Sequence, residues 1–589
     1  MRPFSPAGFS VVHSSRTLGV IGLLGLVAVL LGCSGSAPPS PTAGEPTDGP
    51  AWFEDVTDRV GLNFVHDPGD ASKYHMYQCV GSGCAIADLD GDGRPDLVLL
   101  TNAGPDSKST NKLFRQKADG TFEDVSAGSG LDFPGRNMGI AVGDLNNDGK
   151  PDLLITHVNG ARLLLNLGGM KFADVSAEAG LVNPMWGTSV AFLDYDRDGW
   201  LDVFIVNYVD YDPSWPCLAA TGERDYCAPK VFHGTASKLF RNRGSDLAKN
   251  TDPKKPRVAF EDVTVKSHIG DRTGPGLGVA VFDCDGDGWP DVFVANDGKP
   301  NHLWVNKRDG TFAEEALSRG AAATMMSQSF AGMGVAIGDI DNDGLPDLYV
   351  THLTSETNTL WKQGPRGQFR DESSGWGLMA TRWRGTGFGT LMADFDNDGF
   401  LDIAIANGRV AREAVPRTKP ALAPHWEPYG ERNQLLANTG AGKFADVSPN
   451  SPAFCGYFTV ARGLACGDVD GDGAPDLLVN AIGEKARLLK GVAPNRGHWL
   501  SVRAIDPALN RDAIGAEVAV VAGGVRRVRR IASSDSFLSA GPTVAHFGLG
   551  AATAIEAFEV IWPDGTRERF PGGPADRRLE LRKGSGQKL

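Results

Sequence analysis

Asp88-Leu-Asp-Gly-Asp-Gly-Arg-Pro-Asp96 recurs along the chain in seven near copies, the others beginning at Asp144, Asp194, Asp283, Asp339, Asp394 and Asp468. Each copy reads D-x-[DN]-x-D-G-x-[PL]-D. One Asp-Gly loop is an ordinary turn. Seven in tandem define a repeat architecture, and the repeat unit carries an oxygen-ligand pattern.

Calcium takes six to eight oxygen ligands at ~2.3–2.6 Å. A short loop supplies them when alternate side chains point inward and the backbone turns sharply. Position three is Asp90, Asn146, Asp196, Asp285, Asp341, Asp396 or Asp470, and position five is Asp92, Asp148, Asp198, Asp287, Asp343, Asp398 or Asp472. Position nine is Asp96, Asp152, Asp202, Asp291, Asp347, Asp402 or Asp476. With the first aspartates, these are the expected ligands of up to seven structural Ca²⁺ ions. Position six is always Gly, which turns without a Cβ clash. Position seven varies freely, as expected where only a carbonyl is used. An EF-hand would need Glu at position twelve and flanking helices. Position twelve here is Leu99, Ile155, Ile205 and their counterparts, so that reading fails.

Apolar runs such as Leu97-Val-Leu-Leu100 and Val203-Phe-Ile-Val206 follow the loops and read as buried strands. A small-residue strand such as Gly139-Ile-Ala-Val142 precedes each loop. A run such as Asn111-Lys-Leu-Phe114 and then Phe-x-Asp-Val-[ST] follow it, the latter starting at Phe122, Phe172, Phe260 and Phe444, with looser copies at Phe312 and Phe369. Four short strands per unit predict propeller blades. The seventh loop has no Phe-x-Asp-Val after it, whereas Phe53-Glu-Asp-Val-Thr57 precedes the first loop and is spare. The N-terminal strand is therefore expected to complete the seventh blade, removing the open edges of a linear array. The fold class is all-β, with a seven-bladed propeller over 52–493.

Two insertions, roughly Asn207–Gly234 and Asn407–Glu431, lengthen the third and sixth units and are expected on the face opposite the metal loops. They hold Trp215 and Trp426 among several aromatics, and long loops on a rigid scaffold often carry function. Five residues after the ninth loop position stand Thr101, His157, Asn207, Asn296, His352, Asn407 and Ala481. The polar members either line one mouth of the channel as ligand contacts or satisfy backbone groups at strand ends. Both readings stay open here.

The chain has 589 residues and a formal charge of −14. Seven divalent ions would offset most of that, so the acidity requires no basic partner and argues against nucleic acid. Residues 1–32 read as a signal peptide: a weakly basic start, then an apolar stretch Leu18–Leu31 too short for a comfortable span. Leu30-Leu-Gly-Cys33 resembles a bacterial lipobox, which implies acylation of Cys33, with 33–51 a Ser/Pro/Gly-rich tether. The expected location is the outer membrane or cell surface, with the lipid anchor the only membrane contact. Export also makes Cys217 and Cys227, both in one insertion, a disulfide candidate. Cys79/Cys84 and Cys455/Cys466 pair locally or otherwise.

The repeats resemble FG-GAP (VCBS-type) repeats of integrin-α-like propellers. From about Asn495, Asn510-Arg-Asp-Ala-Ile-Gly-Ala516, Ser536-Phe-Leu-Ser539, His546-Phe-Gly-Leu-Gly550 and Ile561-Trp-Pro-Asp-Gly565 resemble the ASPIC/UnbV domain of the cartilage acidic protein-like family. The resemblance implies an extracellular calcium-binding interaction protein. Alternating apolar and polar residues over 494–585 predict a small β-sandwich or barrel, and Arg526, Arg527, Arg529 and Arg530 read as a solvated strand face. The leading functional expectation is a calcium-stabilised, surface-anchored recognition or adhesion module for a protein or glycan. The alternative is an enzyme or enzyme-accessory propeller with an extracytoplasmic substrate. The sequence has no G-x-S-x-G elbow, HExxH or phosphate loop.

Overall fold

The computed structural model describes residues 49–219, 221–247, 258–413 and 422–589. The leader, Cys33 and most of the tether lie outside them. Six consecutive four-stranded antiparallel sheets, with innermost strands starting at Cys84, Asn137, Gly187, Gly276, Val335 and Gly387, form blades one to six. In each, the metal loop joins the innermost strand to the second. The innermost strands touch their neighbours in the order one to seven, and the seventh touches the first. Consecutive blades pack face to face, so strand side chains are buried on both sides; Leu97, Val98 and Leu99 are all buried. The core is thus a set of interblade layers: Phe293, Leu303 and Trp361 fill the one between blades four and five, and Phe53, Leu391 and Leu477 the one between six and seven.

Blade seven is Ala461–Gly467, Asp476–Ala481 and Arg487–Gly491, with Phe53–Asp55 as its outer strand. Phe53 pairs with Gly491 and Asp55 with Leu489. The outer-strand motif works the same way in several blades. Its Asp holds the Ser or Thr two residues on, and that hydroxyl accepts a backbone N–H from the third strand. Ser126 accepts from Leu113, Ser176 from Leu163, Thr264 from Leu239, Ser373 from Leu360 and Ser448 from Leu435. In blade seven Thr57 accepts from Leu488. The ring closes as the spare motif predicts.

Past Gly491 the chain forms two further sheets. His498–Asp506 pairs antiparallel with Ala545–Gly550 and Arg511–Asp512, and parallel with Arg577–Arg582. Glu517–Ala522 lies between Val525–Arg530 and Ala554–Ile561, and the sheet continues through Arg567–Pro574 to Gln587–Lys588. Val502, Val520, Phe547 and Phe558 fill the space between them, in one cluster with Phe192 and Ile205 of blade three. These sheets and the propeller belong to one compact unit. Among the described residues no helix is long and apolar enough to cross a membrane.

The channel is filled from both ends. Residues 531–541, between the C-terminal sheets' strands, enter it and bond to the innermost strands: Val142 N–H to Ser533 O, Ser536 Oγ to Thr390 N–H at 3.0 Å, and Ala540 to Cys84 and Ile86 through the backbone. The helix Met76–Val80 caps the other mouth. Phe537 and Leu538 meet Met76, Tyr77 and Trp186 in one buried cluster. The fully buried Arg462 holds this cap, donating to the carbonyls of Cys79, Gly408 and Arg409 and lying 3.8 Å from the Phe388 ring centroid.

Two expectations need correction. The run Arg526–Arg530 is only partly a solvated strand face: Arg526 is exposed, but Arg527 is only 6% exposed, and Arg529 and Arg530 are half-buried and face the propeller. Local sequence could not supply this, because the opposing groups come from blades four to six. Cys217 and Cys227 form a disulfide, but Cys79, Cys84, Cys455 and Cys466 are free thiols, so the other suggested pairings do not form.

Candidate metal loops and their covered face

The loops wrap around their first aspartate. Asp88 Oδ1 accepts from Gly91 N at 2.8 Å and Asp92 N at 3.1 Å, and Oδ2 accepts from Gly93 N at 2.9 Å. Such wrapping needs two left-handed residues. Position six is one, with φ between +83° and +101° in all seven copies. Position four is the other: Gly91, Asn147, Arg197, Gly286, Asn342, Asn397 and Gly471 all have positive φ. Its Gly/Asn bias was the available signal, since these residues tolerate that region best, and sequence reasoning used only position six.

The ninth aspartate has a structural task that the ligand pattern does not reveal. One oxygen of Asp96 accepts the Leu89 N–H and the other the Gln116 N–H, both at 3.0 Å. The other six copies repeat this brace between loop and third strand. Side chains then link loop to loop around the ring. Asn166, Asn242, Asn306 and Asn438 each donate to the position-two carbonyl of the preceding blade, and Gln116 donates to Val469 O across the ring closure. From position four, Asn147, Arg197, Asn342 and Asn397 donate to the position-six carbonyl of the following blade.

The donor set fits a hard divalent cation. Oxygens of Asp88, Asp90 and Asp96, of Asp194, Asp196 and Asp202, and of Asp339, Asp341 and Asp347 lie within 4.8 Å of one another in each group. Asp194, Asp285 and Asp394 each keep one buried carboxylate oxygen without a hydrogen-bond partner. Burial, reinforced by neighbouring aspartates, pushes the carboxyls of Asp96 and Asp194 up to about 7 and that of Asp394 to about 8. A bound cation would supply the charge these groups lack, and the four side chains of each loop are placed to hold it.

Protein cations serve some loops more than others. The third-strand residue opposite position nine is Arg115, Arg241, Lys362 and Lys490 in blades one, three, five and seven. These reach Asp90 at 2.6 Å, Asp196 at 2.5 Å, Asp343 at 2.8 Å and Asp472 at 3.0 Å. In blades two, four and six the same place is Leu165, Val305 and Ala437. Lys150 serves the second loop, and Arg308 and Arg319 the fourth.

Comparison with known proteins agrees with this geometry. The FG-GAP-like repeat model matches residues 88–155, 145–205 and 283–350. The ASPIC and UnbV model matches 506–588. The chain thus carries FG-GAP-like repeats and a C-terminal ASPIC and UnbV domain. It is similar to cartilage acidic protein 1 of Xenopus tropicalis, 26% identical over 517 residues, which span 82% of this chain and 70% of that one. The human cartilage acidic protein 1 is 24% identical over 522 residues, 82% of this chain and 69% of that one.

The ASPIC and UnbV domain sits on the metal-loop face of the FG-GAP propeller. Arg511 donates to Gly199 O at 3.2 Å and interacts with the first aspartates of loops two and three. Arg529 interacts with those of loops five and six. Arg578 pairs with Asp468 at 3.2 Å. These cationic contacts were invisible in sequence.

The opposite face corrects most of the ligand-contact expectation. Asn207, Asn296 and Asn407 are buried and donate to the carbonyls of Ala236, Pro300 and Arg432. His352 is buried against Thr359, and His157 turns its Nδ1 to Val158 O. They satisfy strand ends, the second of the two open readings. Trp426 is also buried, stacked on Tyr226 with ring centroids 5.8 Å apart. The two insertions close on each other: Tyr429 donates to Asp225 at 2.6 Å and Arg412 pairs with Glu223 at 3.1 Å. Trp215, beside the disulfide, stays 55% exposed, with Leu218 also exposed.

Proposed function

We propose that this protein is an exported, calcium-stabilised recognition module whose ligand, a protein or glycan, binds the insertion face. The observation that carries this reading is the division of labour between the two faces. The ASPIC and UnbV domain covers the loop face and residues 531–541 fill the channel, whereas the insertion face presents Trp215 and Leu218 on a disulfide-closed hairpin. Exposed aromatic side chains on a rigid support make effective contact residues, because they lose little conformational freedom on binding. Calcium holds the scaffold and does not itself contact the ligand in this reading.

The test is glycan-array and pull-down screening of residues 49–589, with and without Ca²⁺. A partner whose binding disappears in W215A/L218A, with the melting temperature unchanged, supports the reading. A partner retained by that variant and lost only on disturbing the loop face overturns it.

A further inference from the structure

The sixth metal loop differs from the other six in how its charge is met, and it shares only with the third loop the absence of any exposed residue. No residue from Asp394 to Asp402 is exposed, and Asp394 itself is 1% exposed with Oδ1 unpartnered. Among the described residues no Lys or Arg forms a direct ion pair with Asp394, Asp396, Asp398 or Asp402; Arg527 and Arg529 act on Asp394 only at longer range. The third-strand position that supplies a cation to blades one, three, five and seven is Ala437 here.

The cover is the segment His546-Phe-Gly-Leu-Gly550 of the ASPIC and UnbV domain, with Gly497. His546 Nε2 lies 2.8 Å from Asn397 Oδ1. Gly550 N–H donates to Asn397 O, and Gly497 N–H to Asp396 O, both at 2.9 Å. A Cβ on Gly548 would fall 2.0 Å from Asp394 Oδ2, so only glycine lets the strand lie this close to the carboxylate. Arg527 closes the far side, donating to Gly399 O at 3.3 Å. Carboxylates enclosed without a paired cation are costly. A divalent ion offsets that cost, and here its route to solvent runs through a docked domain.

We propose that the blade-six loop holds an occluded calcium ion for which the ASPIC and UnbV domain is the lid, so that this ion leaves only when the domain lifts. The inference rests on the calcium reading above and adds to it that one of the sites is kinetically distinct. The loop of blade one, with Gly91, Asp92 and Gly93 exposed, is the internal contrast.

The experiment loads residues 49–589 with Ca²⁺, adds excess chelator, and measures bound calcium against time by rapid desalting and elemental analysis. Most ions are expected to leave in a fast phase and about one per chain at least about tenfold more slowly, because its release waits on a sub-global opening. D396N removes the slow phase and D90N leaves it intact. G548A, whose added Cβ forces the lid strand away from Asp394, merges the slow phase with the fast one at unchanged calcium stoichiometry; it serves where D396N does not fold. Calcium bound but released in a single fast phase overturns the lid while leaving the calcium reading standing. So does a slow phase that D90N abolishes, or that both D396N and G548A leave intact. No bound calcium at all overturns both.

Discussion

Thr57 Oγ1 accepts the backbone N–H of Leu488 at 3.0 Å, joining residues 431 positions apart in the chain. It is the same bond that Ser126 makes to Leu113 thirteen residues away within blade one. The N-terminal segment therefore closes the ring by chemistry that other blades use locally. T57A leaves the buried Leu488 N–H without this partner, a loss of about 1–3 kcal/mol. F53A removes a buried ring packed edge-on against Phe395 and Phe454, a loss of about 3–5 kcal/mol. Chemical denaturation of both variants checks the order, with F53A the weaker protein.

Much of this closure was legible in the sequence, because Phe53-Glu-Asp-Val-Thr57 is a copy of a motif whose other copies stand in register with the loops. Blade number and the siting of the insertions follow from the same periodicity. What stayed hidden has no local period. Asp96 and its counterparts look like ligands alone until the Leu89 and Gln116 N–H groups are seen on their oxygens. Asn207 and His352 read equally as channel contacts or as strand-end groups until their partners are in place. Residues 531–541 contain small and apolar residues that suit a loop or a core strand, and only the tertiary structure places them inside the channel.

Chelation should destabilise the protein strongly. Ions that bind only the folded state stabilise it by RT ln(1 + [L]/Kd), about 2.7 kcal/mol per site at one hundred times Kd. Scanning calorimetry in millimolar Ca²⁺ and in excess EGTA is expected to show a large drop in melting temperature, partly reproduced by D394N. An unchanged transition would remove calcium from the account.

His352 is buried among Phe330, Trp361 and Thr359, and burial lowers its pKa to about 4. The unfolded chain holds that proton up to about pH 6.5. Between those values the unfolded state binds more protons, so stability is full above pH 6.5 and is lost as pH falls toward 4. The contribution is roughly 3 kcal/mol at most, from 1.36 kcal/mol per unit. Urea denaturation at pH 7, 6 and 5, at saturating Ca²⁺, should show a shallower decline in H352Q than in the unsubstituted protein.

The Cys217–Cys227 bond closes a hairpin with a sequence separation of 10, and Asp225 and Tyr226 just before Cys227 anchor that hairpin to Tyr429 and His425 of the other insertion. Its constraint acts mainly on the insertion, since the blades have their own interblade cores. C217S/C227S is therefore expected to leave the main melting transition nearly unchanged while residues 210–232 become sensitive to limited proteolysis. If Trp215 and Leu218 form the contact surface, the same variant weakens partner binding about tenfold or more, because a surface that must be ordered on association gives up affinity. Proteolysis, calorimetry and a binding isotherm on one preparation separate these effects. A global loss of stability in this variant would mean that the disulfide supports the propeller itself, and the hairpin would lose its standing as an independent recognition element.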